Sequence, residues 1–273
     1  MTSNTPLTVV LPTLNGARFL QAQLDSITAQ QRRPDLLIVS DDGSRDESCA
    51  IIRHFADHAP FQVVLREGPR NGLSANIRSL LAVCPAGHVA LADQDDVWLP
   101  HKLAQACVQL KGTSTPTLYA ARRIVTDAAL KPRGLTKVPR THPSFSHALR
   151  RNIAPGNTVV LNPAAQALAR RTALAPAPLP AFYDWWLYQL ITGAGGQMIF
   201  DPEPALLYRQ HGQNLFGATV GLRAHLWRLR QRFDGTYHSW VHSQCSTLHA
   251  QRSALMPEAT QRLDHFISRR LKS

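Results

Sequence analysis

The sequence predicts an α/β fold, a mostly parallel central sheet flanked by helices, followed by a helical C-terminal segment. Short apolar runs rich in β-branched residues alternate with apolar patterns of helical period through the first hundred residues. Strands that alternate with helices of roughly 10–15 residues build parallel sheets covered on both faces. Composition agrees: 44% of the 273 residues are hydrophobic, enough for a core that buries most of the unfolded chain's surface.

The elements follow in order. Residues 7–11 are an apolar strand, Pro12 and Asn15-Gly16 a turn, and Phe19, Leu20, Leu24 and Ile27 the apolar stripe of a helix. Residues 36–39 repeat the strand and Asp41-Asp42-Gly43 the turn, while Ser44 with Glu47 three positions later reads as a capping box opening the next helix. A third strand at 61–65 leads through Asn71-Gly72 to a helix around Ile77, Leu80 and Leu81, and a fourth at 88–92 ends on Asp93. Beyond Pro100 the pattern weakens. Strands are expected at 117–124 and 157–161 with a Pro-rich basic loop at 131–143 between them, then a helix at 184–191 and strands at 197–200 and 205–208. From Gly221 onward the pattern is helical.

The chain carries 30 Lys and Arg against 18 Asp and Glu, a net charge of +12, which calls for an anionic partner. Residues 97–183 hold twelve basic residues and one acid, Asp127, whereas the first 96 are nearly balanced with their acids clustered. No helix-turn-helix, zinc spacing or aromatic RNA-binding signature accompanies the charge, which argues against nucleic acid. Cys49, Cys84, Cys107 and Cys245 are widely spaced, as reduced structural thiols would be. There is no apolar run of about 18–20 residues and no signal-peptide pattern at the start, so a cytoplasmic location is expected.

In such sheets ligands bind at the carboxyl ends of strands, and Asp41, Asp42, Asp93 and Asp95 all fall there. Asp93-Gln94-Asp95-Asp96 follows an apolar strand, placing carboxylates on a turn where their hard oxygens suit Mg²⁺ or Mn²⁺, ions that complete their shell with substrate phosphates and water.

Five ordered segments resemble the family 2 glycosyltransferases of the GT-A fold, especially the bacterial rhamnosyltransferase-like branch that builds surface polysaccharides. They are Val10-Leu11-Pro12-Thr13-Leu14-Asn15-Gly16, Val39-Ser40-Asp41-Asp42-Gly43-Ser44, Ala92-Asp93-Gln94-Asp95-Asp96-Val97-Trp98, Asp184-Trp185-Trp186 and Tyr208-Arg209-Gln210-His211-Gly212. The resemblance implies a GT-A domain over 1–217, with a nucleotide-binding half to about residue 100 and an acceptor half from 101, and a helical basic segment over 218–273.

It also implies roles. Pro12, Thr13 and Asn15 line the nucleotide pocket, Asp41 or Asp42 contacts base or ribose, and Arg70 and Arg209 are candidates for the nucleotide or diphosphate. Asp93 and Asp95 resemble the ends of the metal and ribose motif, which His211 completes with Mn²⁺ or Mg²⁺. Asp184 matches the catalytic base: an acceptor hydroxyl must lose its proton as it attacks, and an ionised carboxylate within about 3 Å can take it. Its competing role is an N-terminal helix charge. Asn157-Thr158 falls where acceptor contacts are expected, and Trp185 and Trp186 are either core or a sugar-stacking face.

The implied reaction is metal-dependent, inverting sugar transfer from a nucleoside diphosphate donor, a dTDP sugar such as dTDP-rhamnose or a UDP sugar, to a hydroxyl of a growing saccharide. The acceptor would sit on a lipid diphosphate carrier, with peripheral contact between the protein and an anionic membrane at its cytoplasmic face. Two alternatives compete. A nucleotidyltransferase would carry a Gly-rich basic phosphate loop after its first strand, where this chain has Pro12-Thr13-Leu14-Asn15-Gly16, and an inactive relative would have lost the carboxylates. His238 and His242 have metal-binding spacing without an evident third ligand. Leu222, Leu226, Trp227 and Leu229 with Arg223, Arg228, Arg230 and Arg232 form a basic amphipathic pattern suited to an anionic leaflet or to packing on the domain.

Overall fold

The computed structural model describes residues 5–212 and 235–270. The basic amphipathic pattern at 222–232 lies outside them.

The first half of the chain forms the expected repeat. Strands β1 (Leu7–Thr13), β2 (Leu36–Asp41), β3 (Gln62–Glu67) and β4 (His88–Leu91) pair in parallel in the order β3-β2-β1-β4. Helices α1 (Ala17–Thr28), α2 (Ser48–His58) and α3 (Gly72–Val83) connect them. β1 is buried along its whole length, because it feeds two cores. Leu7, Val9 and Leu11 face Leu20, Leu24 and Ile27 of α1 and Ile52 of α2, while Val10 faces Ile77, Leu80 and Leu81 of α3. Burial on both faces is why β1, β2 and β4 read as continuous apolar runs, whereas the edge strand β3 is partly exposed.

The second half extends the sheet with mixed pairing. β5 (Val97–Trp98) is followed by α4 (Lys102–Leu110), β6 (Thr117–Thr126), β7 (Pro132–Leu135), α5 (Phe145–Ala148) and β8 (Val160–Leu161). Then come α6 (Pro163–Leu174), α7 (Tyr183–Gly193) and β9 (Gln197–Arg209). The sheet continues from β4 as β8-β6-β9-β5, with β7 on the outer part of β6. The long β6–β9 pair is parallel, whereas the pairs that β8, β7 and β5 make are short and antiparallel. Helices α8 (Thr236–Ala250) and α9 (Pro257–Arg270) add Val241, Cys245, Leu248, Leu263 and Phe266 to the core that contains α7. No helix among the described residues is long and apolar enough to cross a membrane.

Four sequence expectations need correction. Ser44 and Glu47 make no capping box: α2 starts at Ser48, and Ser44 Oγ instead accepts from the N–H of Asn15 at 2.8 Å, tying the loop after β2 to the loop after β1. Residues 197–208 form one strand rather than two. Pro202 and Pro204 have no N–H for a ladder, and register shifts on β6 between Ala121 and Arg123 absorb the misfit. Gly156–Thr158 is a 3₁₀ turn ahead of β8. The basic loop contains the short edge strand β7, and helices α4 and α6 were not anticipated. The four cysteines are free thiols, with burial pushing Cys84 and Cys245 up to about 12, as inert structural thiols should be.

Candidate functional site

The carboxyl ends of β1, β2 and β4 open onto one site. After β4 the chain turns through Asp93-Gln94-Asp95-Asp96, and carboxylate oxygens of Asp93, Asp95 and Asp96 all lie within 4.8 Å of one another. Among the described residues this is the one cluster of three acidic, His or Cys ligands close enough to hold an ion. Like charges this close are unfavourable unless protonated or neutralised. Burial pushes the Asp93 carboxyl up to about 7, with the charges of Asp95 and Asp184 adding to the effect. Asp96, fully buried, is pushed well up by burial and then by Asp93 and Asp95. A set of adjacent, mutually repelling carboxylate oxygens on one turn fits a divalent, oxygen-preferring cation such as Mg²⁺ or Mn²⁺.

The turn is held from several directions. His211, just beyond β9, brings Nε2 to 2.8 Å from Asp95 Oδ2, and its ring packs on Phe19 of α1 with centroids 4.5 Å apart. Arg209 is only 5% exposed; its Nε donates to the Asp95 carbonyl at 2.8 Å and its Nη1 to the Ala128 carbonyl at 2.6 Å. Its backbone N–H reaches Asp96 Oδ1 at 3.3 Å. Gln94 plugs the loop after β1, accepting from Thr13 Oγ1 at 2.7 Å and from the Leu14 N–H at 3.0 Å. A Cβ at Gly16 would displace the end of the Gln94 side chain from this position.

Beneath the turn, Asn157 Nδ2 donates to Asp96 Oδ2 at 2.6 Å, and Lys102 Nζ donates to the Asn157 carbonyl at 2.9 Å while lying over the Trp98 ring. Lys102 is fully buried, and burial lowers its pKa well below the usual lysine value against the opposing pull of Asp96 and Asp93.

Asp184 lies in the first turn of α7. Its Oδ2 accepts from the Gly156 N–H at 3.1 Å and its Oδ1 from the Trp185 N–H at 2.7 Å. Burial raises its carboxyl despite these donors and the side chain of Asn152. Tyr183, the residue before Asp184, donates its hydroxyl to Asp93 Oδ1 at 3.3 Å, which brings the two carboxylates into one site. The charge of Arg123 on β6 acts to lower the carboxyl pKa values of Asp93, Asp96 and Asp184, and its guanidinium lies over the Tyr208 ring at 4.3 Å.

At the end of β2 the two acids differ. Asp42 has both oxygens engaged, Oδ1 with the Arg70 N–H at 2.7 Å and Oδ2 with the Gly72 N–H at 3.0 Å. This braces a loop in which Arg70 (φ 55°) and Gly72 (φ 81°) both adopt left-handed backbone. Asp41 Oδ2 caps the Gly43 and Ser44 N–H groups, its Oδ1 is buried, and the Cys49 thiol interacts with the same carboxylate. The Arg70 side chain is exposed beside Gly43 at the mouth of this corner. Pro12 is buried in β1, and Asn15 Oδ1 accepts from the Arg45 N–H at 2.8 Å.

The sequence places Asp41, Asp42, Asp93 and Asp95 at the carboxyl ends of strands and Asp184 at a helix start, and the fold has them there, with His211 beside Asp95. Trp185 and Trp186 are both core, their indole N–H groups donating to Ala148 O and Gln251 Oε1. Sequence reasoning missed Arg123, Lys102 and Tyr183. The available signal for Arg123 was a charged pair, Arg122-Arg123, inside an apolar strand. For Lys102 and Tyr183 no sequence signal distinguishes buried from exposed copies.

A model of the family described as glycosyl transferase family 2 matches residues 8–175, a span that includes Asp41, Asp42 and the Asp93–Asp96 turn and stops before Asp184 and His211. Among curated relatives, dTDP-rhamnosyl transferase RfbG of Shigella flexneri is 24% identical over 230 residues, covering 80% of this chain and 78% of its own. An uncharacterized glycosyltransferase of Nostoc sp. is 32% identical over 108 residues, 40% of this chain, and this chain spans only 33% of its length. Among solved structures, Staphylococcus aureus TarS 1-349 in complex with UDP-GlcNAc superposes with a TM-score of 0.64 at 15% identity, over 97% of this chain and 72% of that one. The mannosyltransferase PcManGT from Pyrobaculum calidifontis, in complex with GDP-Man and Mn²⁺, gives 0.61 at 19%, over 98% and 75%.

Proposed function

The chain belongs to glycosyl transferase family 2, with the GT-A fold and an inverting glycosyltransferase activity, and from that premise we propose that it moves a sugar from a nucleoside diphosphate to a saccharide hydroxyl with the help of a divalent cation. The observation that carries this reading is the Asp93–Asp95–Asp96 cluster with His211 on one side and Asp184 on the other.

In this reading Asp95, Asp93 and His211 hold Mn²⁺ or Mg²⁺, which when bound supplies positive charge against the departing diphosphate. Asp41 is the candidate for the nucleotide contact, since both carboxylate oxygens of Asp42 are engaged by the Arg70 and Gly72 N–H groups. Pro12, Thr13 and Asn15 shape the pocket wall, Arg70 reaches the nucleotide from the rim, and Arg209 fixes the carboxylate turn. Asp184 takes the proton of the attacking hydroxyl, held in place by the Gly156 N–H. The raised carboxyl pKa improves its match to that task near neutral pH.

The likeness to a dTDP-rhamnosyl transferase favours dTDP-rhamnose as donor, with a UDP sugar as the competitor. For the acceptor, exposed Lys131, Arg133, Lys137 and Arg140 flank exposed Leu135 and Val138 on and beside β7. This pattern suits an anionic leaflet at the cytoplasmic face of a membrane, where a lipid diphosphate-linked saccharide would lie. A screen of nucleotide sugars for metal-dependent release of nucleoside diphosphate tests the reading. One dTDP or UDP sugar should be turned over with Mn²⁺ or Mg²⁺ and none with EDTA; turnover indifferent to EDTA would remove the metal from the proposal.

A further inference from the structure

Gly156 is where the donor and acceptor sides of the site meet. Its N–H donates to Asp184 Oδ2 at 3.1 Å, and its missing side chain leaves room for the Tyr183 hydroxyl, which a Cβ at this position would overlap. That hydroxyl in turn donates to Asp93 Oδ1 at 3.3 Å. Tyr183 is 7% exposed and sits in the first turn of α7, immediately before Asp184. Neighbouring residues of one helical turn therefore serve the two sides, one touching the carboxylate assigned to the metal and nucleotide, the other carrying the base. α7 is itself fixed in the core by Trp185 and Trp186.

We propose that Tyr183 is a positioning residue which, through its hydroxyl on Asp93 and its place beside Asp184, sets the metal-and-donor carboxylate in register with the base, and that Gly156 is a glycine because a Cβ there would overlap the Tyr183 hydroxyl. This rests on the roles given above to Asp93 and Asp184. A carboxylate that offers an oxygen to a metal is oriented by what its other oxygen accepts, and Tyr183 supplies that hydrogen bond. The acceptor hydroxyl meets the anomeric carbon productively only if donor and base are held at a fixed separation, and one rigid turn of α7 sets it.

Tyr183→Phe removes one oxygen and leaves the ring in place. In the full chain, Mn²⁺ binding in the presence of dTDP or UDP, whichever the parent protein binds, followed by the spectroscopic signal of the unbound ion, should weaken by about 10–100-fold, as loss of an outer-shell partner typically does. With donor and acceptor supplied, a larger share of the consumed donor should go to water instead of the acceptor. A purely structural role would lower the melting temperature and leave both the Mn²⁺ affinity of the folded protein and the transfer-to-hydrolysis ratio unmoved. Gly156→Ala, which keeps every charge and pushes against the Tyr183 hydroxyl, should reproduce the phenotype and serves if Tyr183→Phe does not fold. Parent-like Mn²⁺ affinity and partition in a folded variant would overturn the Tyr183 role alone, whereas a parent protein that binds no Mn²⁺ with either dTDP or UDP overturns the metal site and this inference together.

Discussion

His211 Nε2 and Asp95 Oδ2 stand 2.8 Å apart, joining the end of the last sheet strand to the turn after β4 across 116 positions of sequence. Two potential ligands are thus already side by side, and the response to metal should depend on proton occupancy in the carboxylate cluster beside them.

Asp93 is raised from 3.8 to about 7 by burial first and then by Asp95 and Asp184. A carboxyl whose pKa is higher folded than unfolded contributes stability that is fully present below the unfolded value and is lost as pH rises through the folded one. The metal-free protein is therefore expected to melt lower at about pH 8 than at about pH 5.5, and Mn²⁺ should raise Tm more at the higher pH because carboxylate ligands must shed their protons. Thermal melts with Mn²⁺ and with EDTA at both pH values check this; an equal metal effect at the two would contradict it.

Asp184→Asn keeps the shape of the side chain and removes its capacity to accept a proton. Transfer to acceptor should fall by about 10²–10⁴-fold with donor affinity within a few-fold of parent. If Asp184 served only the helix dipole, the loss would be at most about 1 kcal/mol of stability with little change in rate. Measuring Tm and transfer on the same preparation separates the two.

Asp41 and Asp42 should split by phenotype. Asp42→Ala strips the acceptors from the Arg70 and Gly72 N–H groups, so a stability loss of about 1–3 kcal/mol is expected. Asp41→Asn should chiefly weaken nucleoside diphosphate binding, read by calorimetry. The reverse pattern would transfer the nucleotide contact to Asp42.

Charge reversal at Lys131, Arg133, Lys137 and Arg140 should weaken association with anionic vesicles and leave nucleotide affinity nearly unchanged, because exposed charges act over a Debye length of roughly 8–10 Å. Flotation with vesicles of anionic and neutral lipid provides the measurement. A parent protein that ignores anionic vesicles would refute the membrane contact.

The first four strands and three helices were legible because each obeys a local rule: an apolar run, a Gly or Asn turn, a helical stripe. The carboxylate turn was legible for the same reason, since it ends such a run. What local rules could not supply is pairing at a distance. β5 has two residues and gains its identity only from β9, 97 with 207 and 98 with 206. The break at Pro202 and Pro204 looks like a strand end until β6 accommodates it with irregular register. Lys102 resembles any lysine at a helix start, and only the fold closes Asn157 and Trp98 over it. Ser44 failed as a cap because Asn15, 29 positions away, claims its hydroxyl.

The position of β9 in the sheet imposes an order on biosynthesis. β3, β2, β1 and β4 pair only with strands already made by the time residue 91 is added, apart from the short β8 contact on the flank of β4. β5, by contrast, waits more than a hundred residues for its hydrogen-bonded neighbour, and β6 keeps one long edge open until the same strand arrives. Until residues 197–209 are available, the edge of β6 that pairs with β9 has no native partner, the kind of surface on which non-native strand addition begins. The carboxylate turn obtains its Arg209 and His211 contacts only when that edge has closed, so the ability to engage a ligand arises late in synthesis and together with the protection of the sheet.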